Sequence, residues 1–202
     1  MTLEERMLSG KLYDCADETL QARQRELNEL VFDYNNTRPT DGKRRQTLLR
    51  QIFEDMGEGC YIEPPLHANW GSHTHLGNKV YANFNLTLVD DTHIYIGDNV
   101  MFGPNVTLCT AGHPIEPELR RQVYQYTFPI HIEENVWIGA GVIVLPGVTI
   151  GKNSVIGAGS VVTRDIPENV VAMGTPCRVA RPISEWDREY YFRKHRIDEG
   201  LS

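Results

Sequence analysis

A six-residue rhythm between Ile132 and Val162 constrains the fold of this chain more than any other feature. Aliphatic residues recur every six positions, at Ile132, Ile138, Val144, Ile150, Ile156 and Val162. A second series, four positions later in each unit, is small or β-branched: Val136, Val142, Val148, Ser154 and Ser160. Because a helix repeats every 3.6 residues and a strand every 2, this spacing predicts a repeating coil with short flat sides. The lead aliphatic residue is expected to point inward, and glycine or asparagine to turn the corner.

The rhythm also divides the 202-residue chain into three zones. Residues 1–58 show helical spacing instead, and helices are predicted over 2–8, 17–34 and 41–56. The coil is predicted over 59–182. It shifts phase by two residues near Asp90-Asp91 and lapses over 109–130, which predicts a long projecting loop of functional importance. The remaining tail, 183–202, is predicted to carry a short helix near 183–194.

Composition excludes several classes of protein. A content of 41% hydrophobic and 23% charged residues is that of an ordinary globular protein. No apolar run approaches the roughly 18 to 20 residues of a membrane span, and the charged N-terminus is unlike a signal peptide. The net charge of -7 argues against nucleic-acid binding. Four scattered cysteines without a CxxC pair indicate reduced thiols, so we expect a cytoplasmic protein with neither nucleic-acid nor membrane partners.

Several short motifs follow one another in an informative order. Besides the hexapeptides, they are Gly10–Tyr13, Tyr81–Asn85, Thr110–Pro114, Asn135–Gly139 and Gly174–Val179. With these segments the chain resembles the galactoside/maltose O-acetyltransferase family over its whole length. The resemblance implies a mainly β fold: a left-handed parallel β-helix with three hexapeptides per coil, assembled as a homotrimer with sites between subunits. The left hand comes from the resemblance alone, since parallel crossovers are in general right-handed.

The resemblance further implies transfer of an acetyl group from acetyl-CoA, as co-substrate, to a sugar hydroxyl, with the 6-hydroxyl favoured. Such a transfer needs a base, and histidine suits this task because its pKa lies near neutrality. Among seven histidines, His113 opens the non-repeat loop between Gly112 and Pro114. It matches the catalytic histidine of the family. No serine or cysteine nucleophile is required, so we expect direct attack in a ternary complex, without a metal.

Three positions are predicted to bind the acceptor sugar. Asn83 and Asp91 match acceptor-contact positions of the family, and amides and carboxylates suit sugar hydroxyls. Asn69 stands where the galactoside enzyme carries serine. Near the N-terminus, Cys15 stands where the family uses an aspartate. Its neighbours Asp14 and Asp17 are left out of the predicted site, because Asp17 is equally well explained as a helix cap.

The remaining predicted site residues match coenzyme-contact positions of the family. They are Trp137, Ala140, Ala158, Thr163, Arg164, Arg178 and Arg181. Small side chains at the two alanines would leave a groove open for the pantetheine arm. Guanidinium groups suit phosphates, because they donate paired hydrogen bonds.

Three alternatives stay open at this point. A related hexapeptide-repeat acyltransferase could act on another acceptor, such as an antibiotic or a nucleotide-linked amino sugar. A γ-type carbonic anhydrase would hold zinc between similar coils, but no histidine pair has the expected H-x4-H spacing. A non-catalytic structural coil would have no reason to keep the loop histidine together with an arginine-rich exit.

Overall fold

The computed structural model describes residues 1–198 and Gly200. Its N-terminal segment contains α1 (Leu3–Leu8), β1 (Tyr13–Asp14), α2 (Glu18–Asn35) and α3 (Gly42–Ile52). Side chains that precede each helix cap it: Thr2 in a capping box with Glu5, Asp17 before α2, and Asp41 before α3.

The third helix is shorter than the sequence predicts. It ends at Ile52 rather than near residue 56, and Phe53 already has extended backbone angles. The reason is tertiary: β2 (Asp55–Met56) pairs in parallel with the strand Thr74–Leu76 and so begins the coil. Pairing with the first coil therefore overrides the local helical pattern.

From residue 55 onward the chain forms a left-handed parallel β-helix with three flat sheets. The first sheet contains β2, β5 (Thr74–Leu76), β8 (Ile94–Ile96), β13 (Ile130–Ile132) and β16 (Thr149–Ile150). The second contains β3 (Tyr61–Ile62), β6 (Tyr81–Ala82), β9 (Met101–Phe102), β14 (Trp137–Ile138), β17 (Val155–Ile156), β19 (Val170–Met173) and β20 (Arg178–Pro182). The third contains β4 (Leu66–Ala68), β7 (Leu86–Val89), β10 (Thr107–Cys109), β15 (Ile143–Val144) and β18 (Val161–Val162).

The core of the coil is built from the two series of the six-residue rhythm. Every lead aliphatic residue from Ile132 to Val162 is at most 2% exposed, which confirms the inward direction. The second series, from Val136 to Ser160, is buried equally well. Corner asparagines take left-handed backbone angles and also link neighbouring coils, as in the 3.0 Å bond from Asn135 Nδ2 to Asn153 Oδ1.

Coil length changes along the solenoid. Strand partners are 20 residues apart in the early coils, as in Ile62 opposite Ala82, but 18 apart later, as in Val144 opposite Val162. The two additional residues of the early coils lie where the third sheet turns into the first. We call this corner the acceptor edge, because Asn69 and Asp91, which are predicted to bind the acceptor sugar, follow β4 and β7 there. It contains the turns after β4 and β7 and the long loop after β10. The phase shift in the sequence thus marks one corner that is expanded in consecutive coils.

The long loop has its own structure. It contains β11 (Ala111–Gly112), α4 (Pro117–Arg121) and β12 (Tyr124–Thr127). Strand β12 pairs antiparallel with β11 on one side and with β1 of the N-terminal segment on the other. The N-terminal segment and the loop therefore support each other beside the acceptor edge.

The end of the chain differs from the prediction. The helix expected near 183–194 is reduced to α5 (Trp186–Glu189), and β21 (Tyr190–Phe192) then pairs with β22 (His195–Arg196) in a hairpin. The predicted tail also includes 199, 201 and 202, which lie outside the described residues. In the part of the chain that is described, no helix combines the length and the apolar character that a membrane crossing needs.

Candidate active site

His113 directly follows β11, which pairs antiparallel with β12, and its side chain is exposed. Its Nδ1 is 2.8 Å from the carbonyl oxygen of Tyr124. A carbonyl can only accept, so Nδ1 carries the proton in the neutral ring and Nε2 presents a lone pair. Tyr124 is itself held by its pairing with Asp14 of β1. The imidazole therefore presents its unprotonated Nε2 on the side away from the Tyr124 carbonyl, which is the arrangement that a general base requires.

Asp91 and Asn69 lie together at the acceptor edge, in the expanded turns of neighbouring coils. Asn69 Nδ2 donates to Asp91 Oδ2 at 3.1 Å, and Trp70 Nε1 donates to Asp91 Oδ1 at 3.3 Å. The Asp91 side chain is buried, at 7% exposure. Burial of a carboxylate is costly unless donors meet it, and two side-chain donors do so here. The structure thus brings two of the three predicted acceptor residues into direct contact.

The N-terminal segment reaches the same place. Burial raises the pKa of the Tyr13 hydroxyl, and the nearby Asp91 carboxylate adds to this effect. Burial also raises the pKa of the Cys15 thiol, with Asp14 as the next contribution, while the Cys15 Sγ donates to the Val123 carbonyl at 3.1 Å. The Cys15 thiol is therefore a weak donor that already has a partner within its own chain.

The flanking aspartates have other partners. Asp17 accepts from the hydroxyl of Thr19 and, at 2.9 Å, from its backbone nitrogen; these bonds lower the pKa of the Asp17 carboxyl, which also caps α2. Asp14 accepts from the Ala16 backbone at 2.9 Å. The cap interpretation of Asp17 is thereby confirmed.

Asn83 lies at a different corner, where the second sheet turns into the third. We call this corner the coenzyme edge, because the predicted coenzyme contacts Ala140 and Ala158 lie on it. Its side-chain oxygen accepts from the Phe84 backbone at 2.8 Å. Ala140 and Ala158 occupy the same edge in the following coils, both exposed, and Trp137 lies on the adjoining second sheet with 52% of its surface exposed. Glycines precede both alanines because the coils touch there: a Cβ on Gly139 would lie 2.7 Å from the Ala158 nitrogen.

The predicted phosphate ligands gather near the end of the coil. Thr163 and Arg164 follow β18 and are exposed. Arg178 and Arg181 belong to β20, which adds antiparallel to β19 at the end of the second sheet. The Arg181 guanidinium forms two 2.7 Å bonds with Asp187, which lower the pKa of that carboxyl. Arg181 thus already holds an anionic partner within its own chain.

The predicted site residues therefore form two groups on two edges of the solenoid. Asn69, Asp91 and Thr163-Arg164 follow strands of the third sheet, and His113 lies in the loop that leaves the same corner after β10. Asn83, Ala140 and Ala158 follow strands of the second sheet, and Trp137, Arg178 and Arg181 lie within its strands. The width of the third sheet separates the two edges within one chain. Over residues 1–198 and Gly200, no group of three or more His, Cys, Asp or Glu side chains is placed to hold a metal ion.

Two residues beside Asp91 were missed by sequence reasoning. Asp90 is fully buried, and its Oδ1 accepts from the backbone nitrogens of Asn69 and Trp70 at 2.9 and 2.8 Å. The phase shift at Asp90-Asp91 was a signal that the turn is special, but it did not indicate which coil neighbours the two carboxylates meet. Trp70 had no signal of its own, because it precedes the first regular hexapeptide.

Comparisons with known proteins agree with this architecture. Residues 6–57 match the family model described as the maltose acetyltransferase hexapeptide capping motif. Residues 129–164 match six repeats of the bacterial transferase hexapeptide. The first match is the helical N-terminal segment, and the second covers the six-residue rhythm and the strand before it.

Individual relatives match over nearly their whole length. A galactoside O-acetyltransferase of Escherichia coli (strain K12) is 47% identical over 100% of this chain and 99% of its own. One from Lactococcus lactis subsp. lactis (strain IL1403) is 53% identical over 96% of this chain and 94% of its own. Among solved structures, a galactoside acetyltransferase in complex with coenzyme A superimposes with a TM-score of 0.95 at 47% identity, covering 98% of this chain and 99% of that one.

Proposed function

Because the chain belongs to the galactoside and maltose O-acetyltransferase family, we propose that it acetylates the 6-hydroxyl of a galactoside, a maltose-like or a related sugar, with acetyl-CoA as donor. The observation that carries the proposal is the geometry of His113. Its Nδ1 is tied to the Tyr124 carbonyl at 2.8 Å, so the opposite nitrogen is a base oriented at the acceptor edge.

The proposed reaction is direct attack in a ternary complex. The lone pair on His113 Nε2 takes the proton of the sugar hydroxyl as its oxygen bonds to the thioester carbonyl carbon. The resulting tetrahedral adduct collapses, the carbon–sulfur bond breaks, and the sulfur of coenzyme A leaves with the electron pair. The imidazolium then returns the proton to that sulfur. This route uses one histidine as base and then as acid, and it requires no acyl-enzyme.

Acceptor binding is assigned to three side chains. The buried Asp91 carboxylate and the Asn69 amide beside it would accept and donate hydrogen bonds to vicinal hydroxyls. Asn83 lies at the coenzyme edge, where it would meet the acceptor hydroxyl close to the thioester. In place of an aspartate, Cys15 offers a half-buried thiol, so the contact there would be weaker.

Coenzyme binding is assigned to the coenzyme edge and the arginines beyond it. Ala140 and Ala158 leave the backbone of the corner open to the amides of the pantetheine arm, with Trp137 alongside. Thr163, Arg164, Arg178 and Arg181 would meet the nucleotide and phosphates. Arg181 would have to exchange its bond with Asp187 for one with phosphate.

The two-edge arrangement supports a homotrimer with sites between subunits. In one chain the third sheet separates His113 from Ala140 and Ala158. If the acceptor edge of one subunit faces the coenzyme edge of the next, the two halves of the site meet in a cyclic assembly. Light scattering should then give about three times the 23.0 kDa chain mass. A monomer that acetylates sugars at full rate would refute this arrangement.

The acceptor class is tested by comparing a galactoside, maltose and chloramphenicol, with acetyl-CoA and thiol release as the readout. We expect acetylation of the sugars, with the new ester at the 6-position in the NMR spectrum of the product. Acetylation of chloramphenicol alone would overturn the sugar assignment and favour the alternative acyltransferase. Ester at a secondary hydroxyl would overturn only the 6-position.

A further inference from the structure

Two adjacent residues of one coil hold two adjacent carboxylates of the next. Asn69 and Trp70 use their backbone nitrogens to bind Asp90 and their side chains to bind Asp91. The bonds to Asp90 form a lower level, which Thr74 completes with a 2.9 Å bond from its hydroxyl to Asp90 Oδ2, and the bonds to Asp91 form an upper level. We call these two levels of hydrogen bonds the acid clamp.

The lower level fixes the backbone. Asp90 is fully buried, and burial raises the pKa of its carboxyl, opposed by the hydrogen bonds that it accepts. Because one carboxylate oxygen takes two consecutive backbone nitrogens, the turn that contains Asn69 and Trp70 cannot move relative to the turn that contains Asp90. The neighbouring Asp91 therefore starts from a fixed backbone position.

The upper level fixes the side chain of Asp91. Each of its oxygens accepts one donor, from Asn69 at 3.1 Å and from Trp70 at 3.3 Å, so the plane of the carboxylate is set. A carboxylate has about four lone-pair positions, so further positions remain for a ligand. Asp91 thus has the properties of a preoriented hydroxyl acceptor.

The indole that holds Asp91 is itself immobile. Trp70 is 6% exposed and packs in a small core with Met7, Tyr13 and Leu20 of the N-terminal segment. Its ring also stacks on that of His73, with centroids 5.1 Å apart. The N-terminal helices therefore back the donor that orients Asp91.

From this geometry we propose that Trp70 is a positioning residue that, together with the Asn69 amide, orients Asp91 toward the hydroxyls of the acceptor. The inference rests on the proposed function, because it assigns Asp91 to the sugar. It gives the N-terminal segment a definite task at the site: support of the indole. Trp70 acts through Asp91 and need not touch the sugar.

A double-mutant cycle tests the coupling. Trp70→Phe removes the indole donor but keeps an aromatic ring in the core. We expect it to raise the KM for the sugar roughly 5- to 20-fold, less than the loss of a bond made directly to a charged group, because Trp70 acts through Asp91. The kcat and the KM for acetyl-CoA should change less than about twofold. In an Asp91→Ala background, the same substitution should have little further effect. Trp186→Phe, at a 56% exposed tryptophan, is the matched control.

Two kinetic outcomes would overturn the proposal. One is an unchanged effect of Trp70→Phe in the Asp91→Ala background, which would show independent action. The other is a loss of kcat and of both KM values in parallel with a lower Tm, which would show a general structural role.

A second measurement does not depend on activity. The chain has three tryptophans, and the Trp70 indole N–H signal of the 15N-labelled protein is identified by its loss in Trp70→Phe. Asp91→Ala should shift this signal and accelerate its hydrogen exchange. An unchanged indole signal would refute the acid clamp even in an active enzyme. If the signal responds but no sugar is acetylated, the proposed function fails and the positioning role fails with it.

Discussion

Substituting His113 by asparagine separates the two properties that the structure gives this side chain. The Asn amide nitrogen lies close to the position of the imidazole Nδ1, so it can keep the 2.8 Å bond to the Tyr124 carbonyl while the base is lost. Loss of a general base lowers kcat by about 10²- to 10⁴-fold, or about 2.7 to 5.4 kcal/mol in barrier. His113→Ala also loses the anchor; because neither variant has a base, we expect the same kcat in both but a free energy of unfolding lower by about 1 kcal/mol in the alanine variant.

The assay measures thiol release at saturating sugar and acetyl-CoA, together with calorimetric titration of coenzyme A. Binding of coenzyme A should persist in both variants, because His113 is not among the side chains assigned to the coenzyme. The reasoning is refuted if His113→Asn retains a kcat within tenfold of the wild type. The anchor itself is refuted if the asparagine and alanine variants unfold at the same urea concentration, since the bond to the Tyr124 carbonyl would then contribute nothing.

Three further predictions concern the scaffold and the coenzyme region. Gly139→Ala would place a Cβ 2.7 Å from a backbone nitrogen of the next coil, so we expect the free energy of unfolding to fall by about 1–3 kcal/mol and the Tm by roughly 3–10 °C. Gly159 faces open space at a φ of +70°, so Gly159→Ala should cost only about 1 kcal/mol. Equal melting temperatures of the two variants would refute the contact argument. Asp90→Ala removes the acceptor of the buried Trp70 nitrogen and of the buried Thr74 hydroxyl, while the Asn69 nitrogen keeps the Leu88 carbonyl. It should lower the free energy of unfolding by about 3 kcal/mol in urea, and a change below about 1 kcal/mol would contradict this. Asp187→Asn weakens the ion pair with Arg181, so the KM for acetyl-CoA should fall up to about fivefold, the scale of an exposed ion pair; an unchanged KM would place Arg181 outside the phosphate site.

Much of the solenoid could be predicted because its rhythm is local. Each buried aliphatic residue from Ile132 to Val162 follows from the sequence alone, since one face of every short strand must point inward. The hand of the coil could not be predicted in this way; it required the family resemblance, which the comparisons confirm.

Errors arose where contacts distant in sequence decide the structure. The end of α3 was placed too late, because the parallel pairing of Asp55 with His75 is invisible to a helical pattern. The tail helix was too long, because residues 190–196 pair as a hairpin instead. In the same way, the pairing of Trp70 with Asp91 spans 21 positions and leaves no local signal. Local periodicity predicted the scaffold, but not the hydrogen bonds by which Asn69 and Trp70 hold Asp91.

The regular stacking of the coils fixes distances in whole steps. Equivalent corners of successive coils lie about 4.8 Å apart, and strand partners such as Val144 and Val162 are separated by 18 residues. Removing one complete 18-residue coil between His113 and Arg178 would bring the two closer by about one such step and leave the buried pattern in register. The solenoid therefore fixes axial distances in discrete steps. Under the proposed function, the number of coils between His113 and Arg178 would set the distance from the base to the phosphate ligands, and with it the length of the acyl donor that fits.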